Sequence, residues 1–221
     1  MNTKIIVLVN QKGGCGKTTI VMQLAGALGR EGKKVLIVDA DPQGTATGWA
    51  KSADDKNPFP ATISGLSSMG DKVHREVKRH VGQYDFIFVD CPPAVDSPVP
   101  QSALMIADVA LVPVIPSPAD LLATNGIQAL ISRMQDVNES MKAYVVPNMV
   151  TTTKIAKKTI ELLQRFGMKI TTAGLSYRTA FRESTYIGGT VFDLKNEGAD
   201  KAQAEVTALK NELLKIMKLA A

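Results

Sequence analysis

Five apolar runs, at residues 5–9, 35–38, 86–89, 109–114 and 144–146, punctuate the chain at wide intervals. Each is continuous rather than alternating and rich in Val and Ile, the pattern of a strand covered on both faces. A sixth run, 169–172, is more polar. Between and after these runs, apolar positions at helical spacing predict helices over about 17–29, 71–81, 99–106, 121–137, 155–166 and 200–219. Strands alternating with helices make an α/β protein: a mostly parallel, twisted sheet with helices on both faces. Ligands of such sheets bind at the carboxyl ends of the strands, where the segments after Val9 and after Val89 fall. Residues 52–60, with Asp, Lys, Asn and two Pro, read as a surface loop. Pro92, Pro93, Pro98 and Pro100 keep the segment after Asp90 stiff and at first non-helical. With no internal repeat and no linker, one domain spanning 1–221 is expected.

Composition narrows the class. At 45% apolar and 21% charged residues the chain is an ordinary globular one, and no apolar run approaches the roughly 20 residues that span a bilayer. Only a few residues precede the first run, so neither a signal peptide nor a separate N-terminal DNA-reading domain is expected. The two cysteines, Cys15 and Cys91, are too few for a disulfide framework and suit a reducing cytosol. They read as small buried hydrophobes rather than a redox pair. Charge adds a partner class. The net charge is +5, but Lys142, Lys154, Lys157, Lys158, Arg165, Lys169, Arg178 and Arg182 are offset between 142 and 182 by Glu161 alone, a local net of +7. A concentrated basic segment on a near-neutral body is the footprint of a polyanion site; a solvated Lys-rich helix face is the plain alternative.

Three motifs carry chemistry, each at a strand end. The first is Asn10-Gln11-Lys12-Gly13-Gly14-Cys15-Gly16-Lys17-Thr18-Thr19, between the first strand and an amphipathic helix. Its glycines let the backbone amides turn inward, and those amides with the helix N-terminus form an anion nest for phosphates. Lys17 then supplies a point charge to the terminal phosphates and the Thr18 hydroxyl is placed for Mg²⁺, as in a P-loop. The usual glycine five residues before Gly16 is Gln11 here, and a second lysine, Lys12, follows it. The second motif, Asp39-Ala40-Asp41-Pro42-Gln43, sets two carboxylates two residues apart, pointing one way if the chain is extended. Beside a phosphate nest they suit Mg²⁺-linked water and an attacking water. The third, Phe86-Ile87-Phe88-Val89-Asp90-Cys91-Pro92-Pro93, is a Walker B arrangement in which a buried strand delivers Asp90 to the metal's water shell.

Together with Val145-Val146-Pro147-Asn148 and the run from Ser176 to Ser184, these motifs resemble the ParA/MinD superfamily of deviant Walker A ATPases across nearly the whole chain. The chain is most similar to small ParA proteins without an N-terminal helix-turn-helix domain, which segregate plasmids or position cargo such as carboxysomes. The resemblance implies a weak, partner-stimulated ATPase that uses ATP and Mg²⁺, with nucleotide held by residues 12–19. It implies an ATP-bound sandwich homodimer in which Lys12 reaches the partner's nucleotide, and Asp41 orienting the hydrolytic water. Metal-site residues would be Thr18, Asp41 and Asp90, and Asn148 would contact the adenine. Arg182 falls where related proteins bind DNA without sequence preference, with Arg178, Lys154, Lys157 and Lys158 as further candidates. A cytoplasmic, nucleoid-associated protein working with a small ParB-like adaptor follows.

The rival reading is a MinD-type ATPase that cycles on a membrane. It needs a free amphipathic tail, and the candidate is the stripe Val206, Leu209, Leu213, Ile216, Met217 with lysines at 210, 215 and 218. That stripe has no Phe or Trp and lies on an expected helix, 200–219, of more than five turns, which favours a core-packing helix and no membrane partner. A metabolic member of the wider class would present a Cys-x-x-Cys, which this chain lacks.

Overall fold

The computed structural model describes residues 3–93, 97–163 and 167–218. Seven strands form one sheet: β1 (Lys4–Leu8), β2 (Val35–Asp39), β3 (Thr62–Gly65), β4 (Phe86–Asp90), β5 (Val109–Val114), β6 (Lys142–Pro147) and β7 (Lys169–Ile170). Their order is β3-β2-β4-β1-β5-β6-β7, and every pairing is parallel. Successive side chains of a strand face opposite ways, and the central strands are sorted accordingly. Ile6, Leu8, Ile37 and Phe88 face one layer; Ile5, Val7, Val38 and Val89 face the other.

The first layer holds α1 (Lys17–Arg30) and α8 (Glu197–Ile216), which pack on each other, together with α2 (Thr45–Lys51) and α7 (Thr179–Tyr186). The second holds α3 (Val73–Arg79), α4 (Pro98–Leu104), α5 (Pro118–Val137) and α6 (Lys154–Leu163). The expected architecture is therefore present. Chain order reverses around β1, whose neighbours are β4 and β5. Such a switch point opens a crevice at the strands' carboxyl ends, and the glycine-rich loop leaves β1 there.

Several boundaries differ from the sequence reading, for local reasons. α5 starts at Pro118 because Ser117 caps it, accepting from the Asp120 amide, with proline at the first position. Ser97 and Pro98 do the same for α4. The helix expected over 71–81 is shorter, Val73–Arg79, and is preceded by a 3₁₀ stretch, Ser67–Lys72, broken at Gly70, whose φ of 51° and ψ of −121° is a glycine conformation. The ends of the helices expected over 155–166 and 200–219 fall partly outside the described residues. Three elements lack an apolar run and were not expected: edge strand β3 and the short helices α2 and α7. α2 is pinned from a distance, by Trp49 Nε1 donating to the Gly189 carbonyl (2.9 Å).

The final helix answers the membrane question in part. Val206, Leu209, Leu213 and Met217 are buried in the layer shared with α1, so the stripe is a packing face. Among the described residues no helix is long and apolar enough to cross a membrane.

Candidate nucleotide site

The loop after β1 is built as a phosphate cradle. Gly14 and Gly16 have φ of 71° and 89°, values open to glycine at little cost. A Cβ on Gly16 would lie 2.0 Å from Asn148 Nδ2, so no side chain fits there. Gly16 is also the N-cap of α1 and supplies no side-chain cap, which leaves the helix's first amides for an anion. Lys17 is buried and curls into the loop, its Nζ donating to the carbonyls of Asn10 and Lys12 at 3.3 Å each. The cation is thus centred in the ring of backbone where phosphates would sit. Thr19 lies two residues further on, half-buried in the first turn of α1.

The front half of the loop is tied to β5 and α5 instead. Asn10 Nδ2 donates to the Pro113 carbonyl at 2.6 Å. The Gln11 side chain fills the space over Gly126, where a Cβ would sit 1.9 Å from its Nε2. This is the physical role of the residue that replaces the usual glycine. The Lys12 side chain pairs with Asp120 Oδ1 at 2.7 Å; the lysine is 41% exposed and the aspartate 6%. Asp120 also holds the Ser117 hydroxyl. The sequence reading missed Asp120, although Ser117-Pro118-Ala119-Asp120 has the Ser-x-x-acid spacing of a helix start.

Carboxylates converge on the other side. Asp39 and Asp90 are directly paired in register at the ends of β2 and β4. Thr18 Oγ1 donates to Asp90 Oδ2 at 2.6 Å, while Asp39 Oδ2 accepts from the Thr47 amide and hydroxyl, both at 2.8 Å. The second oxygen of each, Asp90 Oδ1 and Asp39 Oδ1, is buried without a partner. Burial raises the Asp90 carboxyl to about 7, helped by the nearby charges of Asp39 and Asp41 and opposed by Thr18 and Lys17. Two orphaned carboxylate oxygens beside a threonine hydroxyl fit a hard, oxygen-seeking dication such as Mg²⁺. The expectation that Asp39 and Asp41 point together needs correction in its premise, because the strand ends at Asp39. Asp41 sits in the following turn, where its Oδ1 accepts from the Gln43 amide at 2.9 Å.

Because the folded pKa of Asp90 lies above its unfolded value of 3.8, the unfolded chain releases this proton first as pH rises. Stability is therefore lost between about pH 4 and 7 in the absence of metal. Asp90→Asn, which keeps an oxygen for Thr18, should raise the melting temperature of the metal-free protein at pH 8, by about 2–4 °C per kcal/mol gained. The same variant should lose the extra thermal protection that Mg²⁺ adds to nucleotide. Melting curves with and without Mg²⁺ check both signs; an unchanged Mg²⁺ effect would remove Asp90 from the metal site.

The remaining candidates separate. Asn148 is buried and its Nδ2 donates to the Cys15 carbonyl at 2.7 Å, so the side chain assigned to the adenine also braces the loop. Cys15 and Cys91 are both free and buried, and burial pushes both thiols up, toward inertness. The basic segment is divided. Lys142 donates to the Ile216 carbonyl at the end of α8, a favourable place for a cation. Lys169 lies 6.0 Å from the centre of the Tyr144 ring. Arg178 is half-buried, and its Nε and Nη2 both donate to Glu205, at 3.1 and 2.6 Å, so it is tied into the fold as well as carrying charge. Burial would raise Glu205, but Arg178 and Ser176 outweigh it and hold the carboxyl below its ordinary range. Lys154, Lys157, Lys158 and Arg182 are exposed, and Arg165 lies outside the described residues. A cleft of about 570 Å³ opens beside Lys34 and Thr62 at the opposite, amino ends of the strands, away from every motif.

Comparison with known proteins agrees with this geometry. The family model "CobQ/CobB/MinD/ParA nucleotide binding domain" matches residues 6–190. Maintenance of carboxysome distribution protein A of Halothiobacillus neapolitanus is 31% identical over 214 residues, covering 95% of each chain. Among solved structures, the ATP complex of a McdA variant from Cyanothece superposes with a TM-score of 0.79 at 16% identity, covering 100% of this chain and 98% of that one. The Mg-ADP complex of the septum site-determining protein MinD from Pyrococcus horikoshii gives 0.73 at 23% identity, covering 97% of each.

Proposed function

The chain belongs to the CobQ/CobB/MinD/ParA nucleotide-binding family, and from that premise we propose that it is a ParA-type ATPase that positions cargo on DNA. One observation carries the reading: the two lysines of the loop have opposite tasks. Lys17 is centred in the cradle, whereas Lys12 is paired with Asp120 on α5. A lysine not engaged by its own loop is available to a second protomer's nucleotide. On this reading ATP closes a sandwich homodimer, Lys12 reaches across the seam, and Asp41 orients the attacking water.

ATP is held by the cradle, Lys17 and residues 18–19, with Asn148 offering its carbonyl oxygen to the adenine amine while Nδ2 stays on Cys15. Mg²⁺ would be held by Thr18 and Asp90, with Asp39 and, through water, Asp41 beside them, and would neutralise charge on the terminal phosphates. The likeness to the carboxysome distribution protein over 95% of both chains favours a protein organelle as cargo over a plasmid. A small adaptor on that cargo stimulates the otherwise weak hydrolysis. The protein acts in the cytoplasm, on the nucleoid.

Double-stranded DNA of any sequence should bind the ATP-bound protein better than the nucleotide-free protein, because phosphate contacts carry no base information. Each phosphate neutralised adds about −0.9 to the slope of log affinity against log salt. Arg182→Ala should weaken this binding while ATP-dependent dimerisation persists; Lys154→Ala and Lys157→Ala should weaken it less, and Arg178→Ala should act through stability. DNA retention and flotation on anionic liposomes, each with and without ATP, test the reading. Flotation without DNA retention would sink it in favour of a membrane-cycling ATPase.

A further inference from the structure

The segment that carries Arg182 is connected to the nucleotide loop by a short series of bonds. Asn148 braces the Cys15 carbonyl. Two residues on, the Val150 amide donates to the Leu175 carbonyl and the Tyr177 amide donates back to Val150, at 3.0 Å each. This loop is laid against the end of β6 so closely that a Cβ on Gly174 would sit 2.4 Å from the Pro147 carbonyl. From the other side α8 fixes it: Glu212 accepts from the amides of Thr172 and Ala173, and Glu205 from Ser176 and Arg178. The backbone at Tyr177 is therefore held from two directions, yet its ring is 60% exposed.

That ring has a use. The Arg182 guanidinium lies over it, 5.3 Å from its centre. On α7, Thr179, Arg182 and Tyr186 share one face at three- and four-residue spacing. All three are exposed, Tyr186 at 88%. The neighbouring acid, Glu183, is turned to Asn196, accepting from its Nδ2 at 3.0 Å. A cation stacked on an aromatic ring beside a second exposed ring is a surface suited to a nucleic acid backbone. An unstacked, solvated arginine would lose rotamer freedom on meeting phosphate; a stacked one has lost part of it already.

We infer that Tyr177 is a positioning residue for duplex DNA, holding Arg182 toward phosphate, and that Arg182 and Tyr186 are the side chains of this strip that meet the duplex. The inference rests on the DNA-binding reading above. It also explains why Arg178, of like charge and four residues away, is excluded: Glu205 takes it to fix the loop beneath the strip.

The experiment is a double-mutant cycle on DNA affinity of the ATP-bound protein across a salt series. Tyr177→Ala should weaken binding about three- to five-fold, the range of an exposed cation–ring contact, and Tyr177→Phe should restore it. Tyr177→Ala with Arg182→Ala should be no weaker than Arg182→Ala alone, because the ring acts through the arginine. The salt slope should become shallower in Arg182→Ala, and in the same direction in Tyr177→Ala. Additive losses in the double variant, or failure of Tyr177→Phe to restore binding, would overturn the inference. So would Tyr177→Ala acting on ATP affinity with DNA affinity per ATP-bound dimer unchanged, which would make the ring part of the nucleotide pocket. If the parent protein binds anionic vesicles and no DNA, the DNA-binding reading itself fails, a result distinct from any of these.

Discussion

Lys17→Ala and Lys12→Ala are expected to fail in different ways. Removing Lys17 takes away the charge centred in the cradle, and nucleotide affinity should fall about 10- to 100-fold, since hydrogen bonds to charged groups contribute about 1.5–3 kcal/mol. Lys12 is engaged by Asp120, 2.7 Å away, and on the reading above serves the partner's nucleotide, so Lys12→Ala should bind nucleotide nearly as the parent does and fail to dimerise on ATP. Its turnover should fall with the dimer. The substitution also leaves Asp120, 6% exposed, without its cation, so a loss of thermal stability is expected alongside. Lys12→Ala with Asp120→Asn separates the two effects: stability should recover and dimerisation should not. Nucleotide titration, sedimentation and melting curves on the four proteins read this out. A Lys12→Ala protein that dimerises and hydrolyses ATP like the parent would show that the second lysine does not act across a seam.

Asp41→Ala should separate binding from chemistry. The cradle, Lys17, Thr18 and Asp90 are untouched by it, so the variant should load ATP and accumulate as a dimer. Loss of the group that orients the water should slow hydrolysis about 10²- to 10⁴-fold, the range ascribed to a positioned acid–base group. The turn itself depends on Asp41, whose Oδ1 holds the Gln43 amide, so a second variant is needed. Asp41→Asn keeps that acceptor and removes the charge. If both variants dimerise and both are slow, the carboxylate is acting on water. A monomeric protein at saturating ATP in both cases would instead make Asp41 chiefly a metal-site residue.

What could be read from the sequence was what contiguous residues encode. The cradle needs glycines at two positive-φ positions, a lysine and a threonine, all within ten residues, and its chemistry is largely independent of distant parts. The buried strands declared themselves because a parallel strand covered on both faces must be apolar throughout. Even α8 was legible, since a helix of more than five turns whose apolar stripe lacks large aromatics packs better than it inserts.

Elements lacking such a signature were not legible. β3 is a half-exposed edge, and α2 and α7 are short helices stabilised by contacts from far along the chain, as Trp49 is by Gly189. The charge count was legible too, but not its arrangement. A run of basic residues says nothing about which of them meets a carboxylate, and that depended on where α8 lies: Glu205 neutralises Arg178, while Arg182, four residues on, stays exposed over Tyr177. The same holds at the loop, where Lys12 meets Asp120 from 108 residues away. Ion pairs and ring contacts form between side chains that the sheet order brings together, and nothing in their own neighbourhood in the sequence records the meeting. The sequence determined which chemistry the chain possesses; the tertiary structure decided which charges remain free to use it.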